Sequence, residues 1–177
     1  GDTLLLKYSD GNTASDSTTD TALIVDAPTA SVTQIFENSG YSDEVDTLST
    51  RDVMYVQVID TDENRNPQII DTVRVRVYVG NVTAEGSAAG LVLDTEVLYL
   101  TESGETTATF RSGAVVVTDT QTPVVNDGKV TWGRGDSVIV VYGDVNSADT
   151  TSDTALALEI ATTGRAVIYE DASYTDE

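Results

Sequence analysis

DTVRVRVYV, residues 71–79, decides the class of fold. Val73, Val75, Val77 and Val79 alternate with Arg74, Arg76 and Tyr78. In a β-strand, successive side chains point to opposite faces, so this stretch has one apolar face and one long polar face. It reads as a half-buried strand.

Working outward, the same period recurs. VMYVQVI at 53–59, TEVLYLT at 95–101 and SVIVVY at 137–142 are similar, TLLLKY at 3–8 echoes the last of these, and GAVVVT, KVTW, TALALEI and RAVIYE are further runs of strand formers. No stretch carries an apolar face of helical period with caps. Turn residues separate the runs: Asn64-Arg65-Asn66-Pro67, Glu102-Ser103-Gly104, and Asn126-Asp127-Gly128, which reads as a hairpin turn. Many short strands with turns between them predict an all-β chain, an Ig-like antiparallel β-sandwich in the broad sense. Trp132, the single tryptophan, is expected to fill the core or a sheet edge.

The opening of the chain is repeated near its end. GDTLLLKYSDGNTASDSTTDTALI from Gly1 matches GDSVIVVYGDVNSADTTSDTALAL from Gly135. Tyr8 corresponds to Tyr142 and Asp10 to Asp144, an offset of 134; after one deletion in the polar stretch, Asp20 corresponds to Asp153 and Leu23 to Leu156, an offset of 133. The second offset continues through Ile35-Phe36-Glu37 against Ile168-Tyr169-Glu170 and Tyr41 against Tyr174. A period this long is domain-sized. The expected organisation is a tandem array: residues 1–26 as the closing strands of a preceding repeat or a strand-exchange segment, 27–160 as a complete repeat, and 161–177 as the opening strand of the next. The start at Gly1 rather than Met fits a processed product or a piece of a longer chain. Leu4, Leu6, Tyr8, Leu23, Val167 and Tyr169 are the candidate assembly-strand residues. The polar stretches 11–19 and 145–152 read as loops.

Composition narrows the chemistry. The chain has no cysteine and no histidine, which removes disulfides, cysteine nucleophiles and histidine-based acid, base or metal chemistry. With 30 acidic and 9 basic residues, the net charge of −21 repels nucleic acid and attracts cations. No apolar run is long enough for a membrane-spanning helix, so no membrane insertion is expected. Aromatics are only 6% of the chain, and no nucleophile elbow or phosphate-binding loop is present. No enzymatic activity and no small-molecule substrate are expected.

Three segments carry a family resemblance: VMYVQVIDTDENRNPQIIDTVRVRV, LYLTESGETTATFRSGAVVV and DGKVTWGRGDSVIVVYGD. In this order they resemble the Ig-like β-sandwich repeats of microbial cell-surface proteins, including archaeal S-layer proteins and giant bacterial surface or filament proteins. Thr107-Ala108-Thr109-Phe110 stands where that family usually has T-G-V-F. The resemblance implies an extracellular, structural and non-enzymatic role. The partners would be copies of the chain or adjacent repeats of the same polypeptide, joined by β-strand pairing in a filament, stalk or surface layer. The alternative is an adhesin repeat that binds a glycan or another surface.

The candidate metal ligands are Asp60, Asp62, Asn64 and Asp71. Side chains at i, i+2 and i+4 of an extended segment can converge on one cation, and calcium takes six to eight oxygens in flexible geometry. Asp71 follows Asp60 at the spacing of the first and last ligands of an EF-hand, but Arg65 replaces the turn glycine and strands flank the loop. Turn stabilisation by Asp and Asn side chains is the competing reading. The matched pairs Asp10/Asp144 and Asp20/Asp153 read as solvated loop residues, with a domain-junction cation as the alternative. Asn81-Val82-Thr83 is a glycosylation sequon.

Overall fold

The computed structural model describes residues 3–13, 15–24, 27–49, 52–80, 92–119, 121–133, 135–145, 149–158, 166–170 and 172–174. Asn81 lies outside these residues. The described chain is all-β, with twelve strands: β1 Thr3–Ser9, β2 Ser17–Leu23, β3 Val32–Phe36, β4 Thr47–Ser49, β5 Val53–Ile59, β6 Thr72–Gly80, β7 Val92–Glu102, β8 Thr109–Arg111, β9 Val115–Thr118, β10 Lys129–Thr131, β11 Ser137–Gly143 and β12 Thr150–Leu158.

The valine alternation of residues 71–79 becomes β6, with Val73, Val75, Val77 and Val79 buried and Arg74 and Arg76 exposed. β6 lies between β7 and β11, each antiparallel to it. From β3 to β12 the strands form one hydrogen-bonded path, β10-β9-β5-β8-β7-β6-β11-β12-β4, with β3 beside β5. Short β8 is the corner, because it pairs with β5 on one side and β7 on the other. The path therefore folds over itself into a sandwich. β3 packs across β12 and β11, and β10 packs across β7 and β6.

The apolar faces meet in one core that includes Ile35, Met54, Val56, Val75, Val77, Leu100, Phe110, Val138, Val140, Tyr142 and Trp132. Each such side chain contributes about 1.5–3 kcal/mol when fully buried, and this drives the two layers together. Trp132 is thus a core residue, at 5% exposure.

The pairing is not wholly antiparallel. β9 and β10 run parallel, as do β12 and β4. The Asn126-Asp127-Gly128 turn does not close a hairpin. Instead it crosses to the opposite layer: Asn126 N–H donates to the Thr95 carbonyl, and Asp127 and Gly128 N–H donate to the Glu96 carboxylate at 3.1 and 2.8 Å. Asn126 and Gly128 take positive φ of 60° and 81° to make this excursion. The chain then returns beside β9 in the same direction, where Thr131 N–H donates to Asp94 Oδ2 at 2.8 Å. Asp94 and Glu96 are buried on the inner face of β7, and backbone N–H groups satisfy both.

β1 and β2 pair only with each other, and every residue of both strands is exposed. Their register is that of β11 and β12. Thr3↔Leu23, Leu6↔Asp20, Tyr8↔Thr18 and Ser9↔Ser17 correspond, at the offsets of the sequence echo, to Ser137↔Leu156, Val140↔Asp153, Tyr142↔Thr151 and Gly143↔Thr150. The turn is shared as well: Asp10 N–H donates to the Asp16 carbonyl, as Asp144 N–H does to the Asp149 carbonyl. The stretches read as loops are therefore partly strand, because β2 begins at Ser17 and β12 at Thr150. The surroundings of the two hairpins differ. Val138, Val140 and Tyr142 are buried in the sandwich, whereas their counterparts Leu4, Leu6 and Tyr8 are 60%, 68% and 58% exposed. Residues 166–169, expected as a strand, take no regular secondary structure.

Candidate metal centre

β5 delivers its last residue, Ile59, to the end of one layer, and Asp60 follows in the loop toward β6. β11 delivers Gly143 to the same end of the opposite layer, and Asp144 follows. Carboxylate oxygens of Asp60, Asp62 and Asp144 lie within 4.8 Å of one another, a group that could hold a metal ion. The structure thus brings together Asp60 and Asp62 from one loop with Asp144, which the sequence reading paired with Asp10 as a loop residue or the site of a junction cation.

Asp60 is fully buried. Its Oδ2 accepts the Tyr142 hydroxyl at 2.6 Å, and its Oδ1 accepts Thr29 Oγ1–H at 3.3 Å. Its own N–H donates to the Ala108 carbonyl at 2.9 Å. Burial pushes the Asp60 carboxyl up to about 6; the Tyr142 hydrogen bond opposes this, and the neighbouring Asp62 and Asp144 charges add to it. Asp62 moves the other way, held below the usual carboxylate range mainly by the Thr29 hydroxyl. The Tyr142 hydroxyl is held far above its ordinary range by burial and by Asp60.

Two buried oxygens of the same loop, Asp62 Oδ2 and Asn64 Oδ1, meet no hydrogen-bond partner. Buried oxygens are normally satisfied, and oxygens without donors are what a hard cation uses. A cleft beside them is lined by Thr29, Thr61, Asp62, Asn64 and Arg65. Arg65 is drawn to Glu63, with Nη2 2.7 Å from Glu63 Oε2.

Asp71 stands apart from this group. Its Oδ2 accepts the Asn66 N–H at 3.0 Å and so ties the loop back on itself. The Glu102 N–H donates to the Asp71 carbonyl at 2.9 Å, and the Asp71 N–H donates to Glu102 Oε2 at 3.3 Å. The twelve-residue spacing that suggested a ligand is here a loop closure, because strands diverging into opposite layers replace the helices that would fold an EF-hand loop inward.

Ala108 has φ of 51°, a left-handed conformation, at the position where the resembled family carries glycine. Its N–H donates to Glu102 Oε1 at 2.8 Å while its carbonyl holds Asp60. The turn therefore supports the acidic loop from behind. Asp153 is not in a loop at all. It lies on β12, and its Oδ2 accepts the Ile35 N–H at 2.6 Å. Arg111 lies over the Tyr41 ring at 4.4 Å and bonds Gln57, and Lys129 bonds Gln121.

Leu4, Leu6, Tyr8 and Leu23 lie together on the exposed hairpin. Val167 and Tyr169 lie in the segment 166–170, outside any strand. No protein-family model matches this chain, and comparison with curated proteins gives no match.

Proposed function

We propose that this chain is a structural repeat of an extracellular filament, stalk or surface layer. It assembles through β-strand contacts between units and is braced by calcium at Asp60, Asp62 and Asp144. The observation that carries the reading is the hairpin β1–β2. It has the register of β11–β12, but the apolar side chains that the sandwich buries in β11 are exposed on β1. An isolated two-stranded hairpin is marginal in water, and an exposed apolar face of this kind marks an interaction surface. Leu4, Leu6 and Tyr8 would each contribute about 1.5–3 kcal/mol if a partner buried them fully.

Calcium fits the acidic group by the hardness of its oxygen donors and by the orphan oxygens Asp62 Oδ2 and Asn64 Oδ1. Its role would be mechanical. Asp60 follows a strand of one layer and Asp144 a strand of the other, so one cation would clamp the end of the sandwich. The three family-like segments, the acidic composition and the absence of cysteine and histidine support a load-bearing rather than catalytic part.

Sedimentation velocity over a wide concentration range tests the assembly. Wild-type protein is expected to shift to larger species as concentration rises, and Leu6→Asp to remain a monomer. A wild-type chain that stays monomeric up to millimolar concentration would refute it.

A further inference from the structure

On one face at the start of β12, Asp149, Thr151 and Asp153 are each engaged with the β3 side of the sandwich. Asp149 Oδ2 accepts both the N–H and the hydroxyl of Ser31, at 3.0 Å each. Thr151 Oγ1 lies 2.8 Å from Thr33 Oγ1 and 3.0 Å from Ser31 Oγ. Asp153 Oδ2 accepts the Ile35 N–H at 2.6 Å. β3 and β12 share no backbone ladder, so this row of side chains closes one edge of the sandwich.

The hairpin β1–β2 carries the same row. Asp16, Thr18 and Asp20 occupy the register positions of Asp149, Thr151 and Asp153, with identical side chains, and all three are exposed. The last carboxylate is even set in the same way. Asp153 Oδ1 accepts the Thr154 N–H at 2.8 Å, and Asp20 Oδ1 accepts the Thr21 N–H at 2.9 Å. This leaves Oδ2, the oxygen that in Asp153 receives Ile35.

The complement of that row lies near the other end of the chain. Residues 166–174 correspond to 33–41, the stretch that contains most of β3 and the turn after it. The Tyr169 and Tyr174 rings meet edge to face at 5.5 Å and 84°, as Phe36 and Tyr41 do at 5.6 Å and 70°. Tyr174 has φ of 58° and Tyr41 of 52°, a left-handed conformation uncommon outside glycine. Ile168 holds the place of Ile35 and is 91% exposed, whereas Ile35 is fully buried.

We propose that residues 166–174 of one copy dock on the Asp16–Thr18–Asp20 row of a second copy. The Ile168 N–H donates to Asp20, and the Ile168 side chain enters the apolar face of Leu4, Leu6 and Tyr8. This rests on the assembly reading above and specifies its partner and contact. The two surfaces differ and lie on different parts of the chain, so the contact is heterologous, the kind that repeats from copy to copy into a ring or an open filament.

The template pair Thr33 and Thr151, with γ-oxygens 2.8 Å apart, supplies the test. The chain has no cysteine, so introduced thiols report alone. Full-length Thr18→Cys mixed with full-length Ala166→Cys is expected to oxidise to a disulfide-linked heterodimer. Thr19→Cys, on the opposite face of β2, is expected not to do so with the same partner. Thr33→Cys/Thr151→Cys within one chain should close an internal disulfide, which shows that the geometry accepts the bond. Ile168→Asp added to the Ala166→Cys chain should abolish the heterodimer. Equal cross-linking by Thr18→Cys and Thr19→Cys, or no heterodimer while the internal control closes, overturns the contact. If sedimentation still shows association in that case, the assembly reading survives and this docking mode falls; if sedimentation shows none, both fall.

Discussion

Replacing Asp60 by asparagine should stabilise the protein in chelator at neutral pH, although it removes a fully buried and hydrogen-bonded side chain. The reasoning rests on charge. Asp60 is buried beside Asp62 and Asp144, and burial above all, with these charges adding, pushes its carboxyl from 3.8 to about 6. The folded chain therefore holds this proton more tightly than the unfolded chain does. The favourable contribution is present in full below pH 3.8 and is lost as pH rises through about 6. At pH 7 without a cation, the folded state carries the whole cost of the ion. The shift corresponds to at most about 3 kcal/mol, and a chain of this length moves about 2–4 °C per kcal/mol. Asparagine keeps an oxygen for the Tyr142 hydroxyl and carries no charge. In chelator at pH 7, Asp60→Asn should thus melt higher than wild type by up to roughly 6–12 °C, and the difference should vanish near pH 4. Calcium at a hundredfold excess over its dissociation constant adds about 2.7 kcal/mol to the wild type and should add nothing to the variant. Circular-dichroism melts across pH 4–8, with chelator and with calcium, read all of this. A variant that melts lower than wild type in chelator at pH 7, or that responds equally to calcium, would refute the reasoning.

Three further outcomes follow from the packing. Phe110→Ala, at a fully buried site, should cost about 3–5 kcal/mol in urea denaturation, whereas Leu5→Ala on the exposed hairpin should stay within about 0.5 kcal/mol. Glu96→Ala should cost roughly 3 kcal/mol by the same assay, since it strips the Asp127 and Gly128 N–H groups of their charged acceptor. Ala108→Gly should stabilise by up to about 1 kcal/mol, because it relieves a left-handed alanine; a loss of stability would show that the Ala108 methyl packs usefully.

The strands could be read directly because alternation encodes both the period and the buried face, and β5, β6 and β11 lie where it placed them. Pairing direction could not be read. Asn126-Asp127-Gly128 has hairpin chemistry, but Glu96, thirty residues earlier and on the other layer, holds the turn away from a hairpin. A readable sign did exist: Asp94 and Glu96 share parity with Leu98 and Leu100, and acids on an inward face require donors. The acidic group was half legible. Asp60 and Asp62 are neighbours in sequence, but Asp144 joins them only because two layers end together. The Asp-x-Thr-x-Asp row was mistaken for loop because its residues are polar, although its period of two is that of a strand.

Hydrogen–deuterium exchange of the wild-type chain at increasing concentration tests the central claim most directly. The amides of Thr3–Ser9 and Ser17–Leu23 should exchange freely in dilute solution and gain protection as concentration rises, together with residues 166–174. The matched amides of β11 and β12 should stay protected throughout. A hairpin that remains unprotected at every concentration, or that is protected even when dilute, would contradict the claim that β1–β2 is a closing hairpin awaiting a partner.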